Sequence, residues 1–232
     1  MFSIEALEQL IDTGVDIVKI PSGEITNIPL FCTICNKCNS AHISSGMSTF
    51  AEIDAALKII SAAESVLVFQ CKSQYPVPPE RIGLNAISKI RESYRLPIGL
   101  SDHSKGIEMS VAAIALGAVA IEKHLSFSRR MYGSAALNAL EPSEFRALCT
   151  AVNNVWNAPQ NPVDKNDISE LLDTRATFQQ GIFAKRKLPD GQKLSLNDVA
   201  FLKPILGRPV EQIDSIMVEI IGQHLFIQLG IY

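Results

Sequence analysis

Two histidines define the chemistry open to this chain. His103 closes the run Pro97-Ile-Gly-Leu-Ser-Asp-His103 and His124 closes Ala118-Val-Ala-Ile-Glu-Lys-His124, each at the carboxyl end of an apolar, strand-like segment. Neutral imidazoles ligate divalent metals, so the two could share an ion, with Asp102 and Glu122 near enough to orient or supplement them. The competing reading for either histidine alone is a hydrogen-bonded packing residue. Recurrence at equivalent positions of successive units sets the metal reading beside it.

The elements that must position these side chains follow from periodicity. Gly106 to Leu116 reads as a helix, apolar at Ile107, Val111, Ile114 and Ala115, and closed by Gly117. Strand, helix and strand form a βαβ unit, so the two histidine strands are expected to be parallel neighbours. In parallel α/β folds ligands gather beyond the carboxyl ends of the strands, which is where both imidazoles fall.

Earlier strand-like runs also end in polar groups. Asp16-Ile-Val-Lys-Ile20 is followed by Pro21-Ser-Gly-Glu24, which gathers Lys19, Ser22 and Glu24 around one terminus. Lys19 and Glu24 could form a solvated ion pair, yet a lysine inside an apolar strand usually has a reason. Ala41-His-Ile-Ser-Ser-Gly46 ends in Ser44, Ser45 and Gly46, where hydroxyls and backbone N–H groups could hold a phosphate or carboxylate, or simply turn the chain. Val66-Leu-Val-Phe-Gln-Cys71 leads into a proline-punctuated loop, 72–79, that presents Ser73, Gln74 and Tyr75.

Helices fill the intervals: Ser3 to Ile11, Pro29 to Cys38, one opened by Ser48 and Glu52 in a capping-box-like arrangement, Ile82 to Tyr94, and Pro142 to Trp156 with proline in its first turn. The five strands near 16–20, 41–46, 66–71, 97–102 and 118–124 thus recur at a βα period. A closed (β/α)8 barrel needs eight strands, so the array is expected to be an open sheet or a barrel lacking three units.

The chain of 232 residues has net charge −3 and 47% hydrophobic residues, which describes a globular protein with a sizeable core. No run long enough for a membrane span and no leader-like start is evident, so a cytoplasmic setting is expected, with no membrane partner. The mildly acidic balance argues against nucleic acid as a partner and for small molecules. Cys32, Cys35 and Cys38 form a C-x2-C-x2-C run, but it lies in a helical segment with no fourth cysteine at the usual offset, so these read as small buried hydrophobes.

Beyond residue 157 the composition changes to Asn, Pro, Gln and Asp, then to short separated elements: Ile182 to Leu188, the turn Pro189-Asp-Gly191, Leu194 to Leu202 and Val218 to Ile227. The expected organisation is a (β/α) barrel portion over 1–157, a linker over 158–177 and a small β-rich domain over 178–232.

Set side by side, these motifs resemble those of the bacterial-type sialic acid synthases. The resemblance rests on 19–30 (Lys-Ile-Pro-Ser-Gly-Glu-Ile-Thr-Asn-Ile-Pro-Leu), Ser44-Ser-Gly-Met-Ser48, Gln70-Cys-Lys-Ser-Gln-Tyr-Pro76, Gly99-Leu-Ser-Asp-His103, Gly117-Ala-Val-Ala-Ile-Glu-Lys-His124 and Leu140-Glu-Pro142, in the family's order and spacing. It implies a partial TIM-type barrel followed by an antifreeze-like (SAF, β-clip-like) domain that is incomplete at its end. It implies condensation of phosphoenolpyruvate with N-acetylmannosamine or a related N-acetylhexosamine, with phosphate release and Mn²⁺ or Mg²⁺ as cofactor. By the resemblance, His103 and His124 are the metal ligands; Lys19, Ser22, Ser44 and Ser101 surround the phosphoenolpyruvate phosphate and carboxylate. Glu24 stands beside the reacting centre as a catalytic group with Lys19, while Ser73 and Tyr75 face the sugar. Lys203 occupies the place of a substrate-reaching arginine, and domain-swapped homodimers are implied as well.

Three departures define an alternative. The family's barrel begins with about three further βα units, Ala135 and Ala136 stand where a sugar-binding aspartate and its neighbouring histidine are expected, and Lys203 replaces the arginine. The alternative is a catalytically inactive truncated homologue that keeps a metal or sugar site.

Overall fold

Five β-branched, apolar runs become five parallel strands: β1 (Ile17–Ile20), β2 (Ser40–Ser44), β3 (Ser65–Cys71), β4 (Ile98–Asp102) and β5 (Ala120–Lys123). They pair in sequence order in one sheet. The computed structural model describes residues 2–61, 63–133, 135–217 and 230–231, the last two by backbone alone. Two units divide the chain, residues 1–162 and 163–232.

In the first unit helices α1 (Ile4–Asp12), α2 (Ile28–Lys37), α3 (Phe50–Ile60), α4 (Asn85–Tyr94), α5 (Glu108–Ala115) and α6 (Pro142–Gln160) alternate with the strands. Each right-handed crossover must pass over a sheet face, and this is how the core forms. Val18, Ile20, Ala41 and Ile43 of β1 and β2 pack with Leu30, Phe31 and Ile34 of α2 and Ile53, Ala56 and Ile60 of α3. Val68, Ile98 and Leu100 of β3 and β4 pack with Ile87 and Ile90 of α4 and Ala113 and Ile114 of α5.

The sheet is strongly curled. Neighbouring strands lie about 4.8 Å apart, so in a flat sheet β1 and β5 would be separated by about 19 Å. Yet the Lys19 ammonium of β1 is ion-paired with the Glu122 carboxylate of β5, across the inner face. Only a sheet bent towards a barrel lets these side chains meet, and the first unit is accordingly part of a TIM-type barrel.

Several local expectations change. Thr49, not Ser48, caps α3: its side chain accepts from the Glu52 N–H and its own N–H donates to Glu52 at 2.7 Å, the three-residue spacing a capping box demands. The helix read from Ile82 starts at Asn85, because a 3-10 turn over Pro79–Arg81 and a left-handed Gly83 occupy its expected beginning. The helix read from Gly106 starts at Glu108, Gly106 itself having φ +72°. Helix α6 runs on to Gln160, beyond Trp156.

The second unit contains α7 (Leu172–Phe178), β6 (Gly181–Ala184), β7 (Val199–Leu202), α8 (Ile213–Met217) and β8 (Gly230–Ile231). β6 pairs antiparallel with β7 and parallel with β8, making a small β-rich unit around Ile182, Ala184, Leu188, Leu194, Val199 and Ile216. Part of the stretch read as linker is helical, since α7 begins at Leu172. The strand expected over Val218 to Ile227 lies outside the described residues, as does Ser134. Among the described residues no helix is long and apolar enough to cross a membrane.

Candidate active site at the carboxyl ends of the strands

The register of the last two strands fixes the centre of the site. Ser101 of β4 lies opposite Glu122 of β5, and Asp102 opposite Lys123. Because side chains alternate across a strand, Ser101, His103, Glu122 and His124 share one face while Asp102 and Lys123 share the other.

On the inner face the two imidazoles meet, with ring centroids 5.3 Å apart and planes 32° from parallel. The Tyr75 ring lies 4.2 Å from that of His103 and 6.0 Å from that of His124, and its hydroxyl shares a 3.1 Å hydrogen bond with His103 Nε2. His103 Nδ1 and His124 Nε2 are buried and, among the described residues, lack a hydrogen-bond partner. Such orphans are uncommon in interiors and point to an ion or a substrate atom. Burial, reinforced by the neighbouring His124, pushes His103 down to about 4, so its ring is neutral near pH 7, the form that ligates metals.

Neutral, unpartnered imidazole nitrogens have the chemistry to contribute to the shell of a divalent ion. Among the described residues no group of three or more His, Cys, Asp or Glu side chains is arranged to hold a metal, so solvent or substrate oxygens would complete the coordination.

Two residues back along the same strands lies a charged and hydroxylic patch. Lys19 is ion-paired with Glu122, whose Oε1 also accepts from the Ser101 hydroxyl at 2.8 Å. Burial works upward on the Glu122 carboxyl, but the Lys19 and Ser101 bonds and the Lys19 charge outweigh it and hold that carboxyl below its ordinary range. Lys19 also lies 5.1 Å from the Phe69 ring centroid, a cation–π contact that keeps the ammonium directed inward.

The loops after β1, β2 and β3 converge on Gly46. Ser22 and Ser73 share a 2.9 Å hydroxyl bond, and a Cβ at Gly46 would come within 2.2 Å of Ser73 Oγ, 2.4 Å of Ser22 Oγ and 2.6 Å of Ser22 Cβ. Glycine is therefore required for this close approach. Behind it, the Ser45 hydroxyl donates to Gln70 and accepts from the Cys71 N–H at 3.2 Å, which braces the ends of β2 and β3. Ser44 is the buried last residue of β2.

Three sequence readings change here. Lys19 does not pair with Glu24. Its partner lies 103 residues away on the far strand, and the Glu24 carboxylate instead accepts from the Asn27 side chain at 2.7 Å. Asp102 does not hydrogen-bond an imidazole directly, because alternation turns it away from the histidines and towards Lys123, Ser104 and Ser110. Glu122 is the hub that ties Lys19 to Ser101. Its position two residues before His124 signalled the shared face, but nothing local signalled the lysine. Lys203 belongs to the second unit, where it is exposed after β7, so the geometry described above comes from the first unit alone.

The fold and the strand-end site place the protein among TIM-type barrel proteins, with two imidazoles and a lysine–carboxylate pair at the carboxyl ends of its strands. Residues 1–164 match the NeuB family, and the chain belongs to that family. It is 31% identical over 210 residues to the N,N'-diacetyllegionaminic acid synthase of Campylobacter jejuni, covering 89% of this chain and 63% of that protein. It is 30% identical over 240 residues to the human N-acetylneuraminate-9-phosphate synthase, covering 94% and 66%. A crystal structure of N-acetylneuraminic acid synthetase from Leptospira borgpetersenii, in complex with citrate, superposes with TM-score 0.68 at 31% identity, over 76% of this chain and 63% of that one. The DAHP synthase of Thermotoga maritima, at 19% identity and TM-score 0.61, shares the fold. The chain thus spans a little under two thirds of the length of the first of these relatives.

Proposed function

We propose that the protein is a sialic acid-type synthase that condenses phosphoenolpyruvate with N-acetylmannosamine or a related N-acetylhexosamine. The observation that carries this reading is the convergence, in a NeuB-family chain, of Lys19, Ser101, Glu122, His103 and His124 on one inner face at the strand ends.

The chemistry of those groups suits the reaction. An ammonium offers three donors, of which Glu122 engages one, so Lys19 can also bind an anionic oxygen. With Ser22, Ser44 and Ser101 it would bind phosphate and carboxylate through charge-assisted hydrogen bonds. Glu24 would act beside the reacting centre, and Ser73 and Tyr75 on the sugar side. Mn²⁺ or Mg²⁺, held by His103 and His124, would supply a Lewis acid for the open-chain sugar's aldehyde. The enol carbon would bond to the aldehyde carbon, whose C=O π bond opens and whose oxygen takes up a proton; water would add at the carbon bearing the phosphate, losing a proton, and phosphate would leave as that carbon becomes the ketone. The second unit is proposed as an SAF-type domain contributing Lys203, with a domain-swapped homodimer as the assembly that lets it do so.

Ala135 and Ala136 support a second reading, a homologue that binds metal or sugar without turnover. One experiment separates the two. Phosphoenolpyruvate, N-acetylmannosamine and Mn²⁺ are supplied and phosphate release is followed; release that disappears in His103→Ala supports the synthase, and no release at high protein concentration rejects it.

A further inference from the structure

On the outer face of the same two strands lies a second lysine–carboxylate pair that the proposed reaction does not use. The Lys123 ammonium is 2.8 Å from Asp102 Oδ2, and the two side chains are 1% and 0% exposed. Asp102 Oδ1 accepts from the Ser104 N–H at 2.8 Å and from the Ser104 hydroxyl at 2.6 Å, while Oδ2 also accepts from the Ser110 hydroxyl of α5 at 2.6 Å. Lys123 donates in addition to the Ser104 carbonyl at 2.6 Å.

A buried ion pair is seldom more stabilising than well-packed apolar residues of the same volume, so stability alone does not account for it. What such a pair supplies is direction. Its bonds join β4, the loop after it, α5 and β5, and they grip the chain immediately beside both imidazoles. Asp102 precedes His103, Ser104 follows His103, and Lys123 precedes His124. The backbone carbonyls of the histidines are held too, by the Val77 N–H at 3.1 Å and the Leu140 N–H at 2.8 Å.

We propose that Asp102 and Lys123 are positioning residues: their buried pair locks the ends of β4 and β5 so that His103 and His124 face one another. This role deepens the metal-site reading above and rests on it for its functional meaning, but the geometric claim stands independently. Neither residue touches the reacting groups. They act through the two strand ends, as supporting contacts act on ligating histidines elsewhere.

The test is the double variant Asp102→Asn/Lys123→Met, which removes both charges while keeping side-chain size, studied in the full chain. Three quantities are read: Tm, the ring-to-ring nuclear Overhauser contact between His103 and His124 without metal, and the affinity for Mn²⁺ by calorimetry. The expected result is a Tm close to the parent's, loss of the ring contact and Mn²⁺ binding weaker by about 10-fold. A folded double variant that keeps the ring contact overturns the proposal, whatever its Mn²⁺ affinity. Should the double variant not fold, Asp102→Asn alone is used: its single amide oxygen can serve only part of the Lys123, Ser104 and Ser110 donors, so the lock is weakened, and the same ring contact decides. If the parent protein binds no Mn²⁺, the metal reading fails, while the ring contact still judges the lock.

Discussion

The first unit carries two lysine–carboxylate pairs on adjacent residues of one strand, and they differ in nearly everything except composition. Lys19–Glu122 lies on the inner face, with side chains 28% and 41% exposed, and closes a span of 103 residues across the curled sheet. Lys123–Asp102 lies on the outer face beneath α5 and is shut away from water. The inner pair is reachable by an incoming anion and can exchange partners. The outer pair has its hydrogen bonds taken up by its own surroundings, so it can only hold a shape. A shift of one residue along β5 decides which, because a pleated strand sends neighbours to opposite faces.

Breaking the outer pair from one side tests this contrast most severely. Lys123→Met leaves a buried carboxylate uncompensated and is expected to cost about 3–5 kcal/mol. Glu122→Gln, in contrast, is expected to cost no more than about 1 kcal/mol, because the inner pair is solvent-screened. Urea unfolding of the two variants side by side measures both, and equal losses would abolish the distinction.

A smaller loss is expected at the loops bordering the inner pair. Gly46→Ala drives a Cβ into Ser22 and Ser73, at an expected cost of about 1–3 kcal/mol. The same urea titration checks it. An unchanged midpoint would show that these loops yield easily.

The remaining effect is that of pH. His103 is held down at about 4 when folded and titrates near 6.5 when unfolded, so below about 6.5 the unfolded chain takes up the proton first. Stability should therefore be full above that pH and decline as pH falls towards 4. Denaturation midpoints at pH 7.5 and pH 5 would show the drop, and His103→Gln should diminish it.

Much of this architecture was legible in the sequence. The five runs 16–20, 41–46, 66–71, 97–102 and 118–124 became β1 to β5 with boundaries shifted by no more than a couple of residues, because short β-branched runs separated by amphipathic segments leave little choice of fold. The equal placement of His103 and His124 after their strands was likewise legible, since parallel neighbours in register bring equivalent positions together. The partners of Lys19 and Asp102 were not. Glu24 stood five residues from Lys19 and was the natural candidate, but it follows a turn that directs it to Asn27, while the true partner arrives only when the sheet curls.

The sequence by itself determined the alternation of strands and helices, the polar character of the strand ends and the family to which the chain belongs. These follow from local periodicity and from motif order. Tertiary structure alone decided which carboxylate faces which lysine, that one pair is wet and the other dry, and that two imidazoles lie close together with nitrogens that lack partners among the described residues. Those outcomes depend on sheet curvature, strand register and helix cover, which bring together groups far apart in the chain.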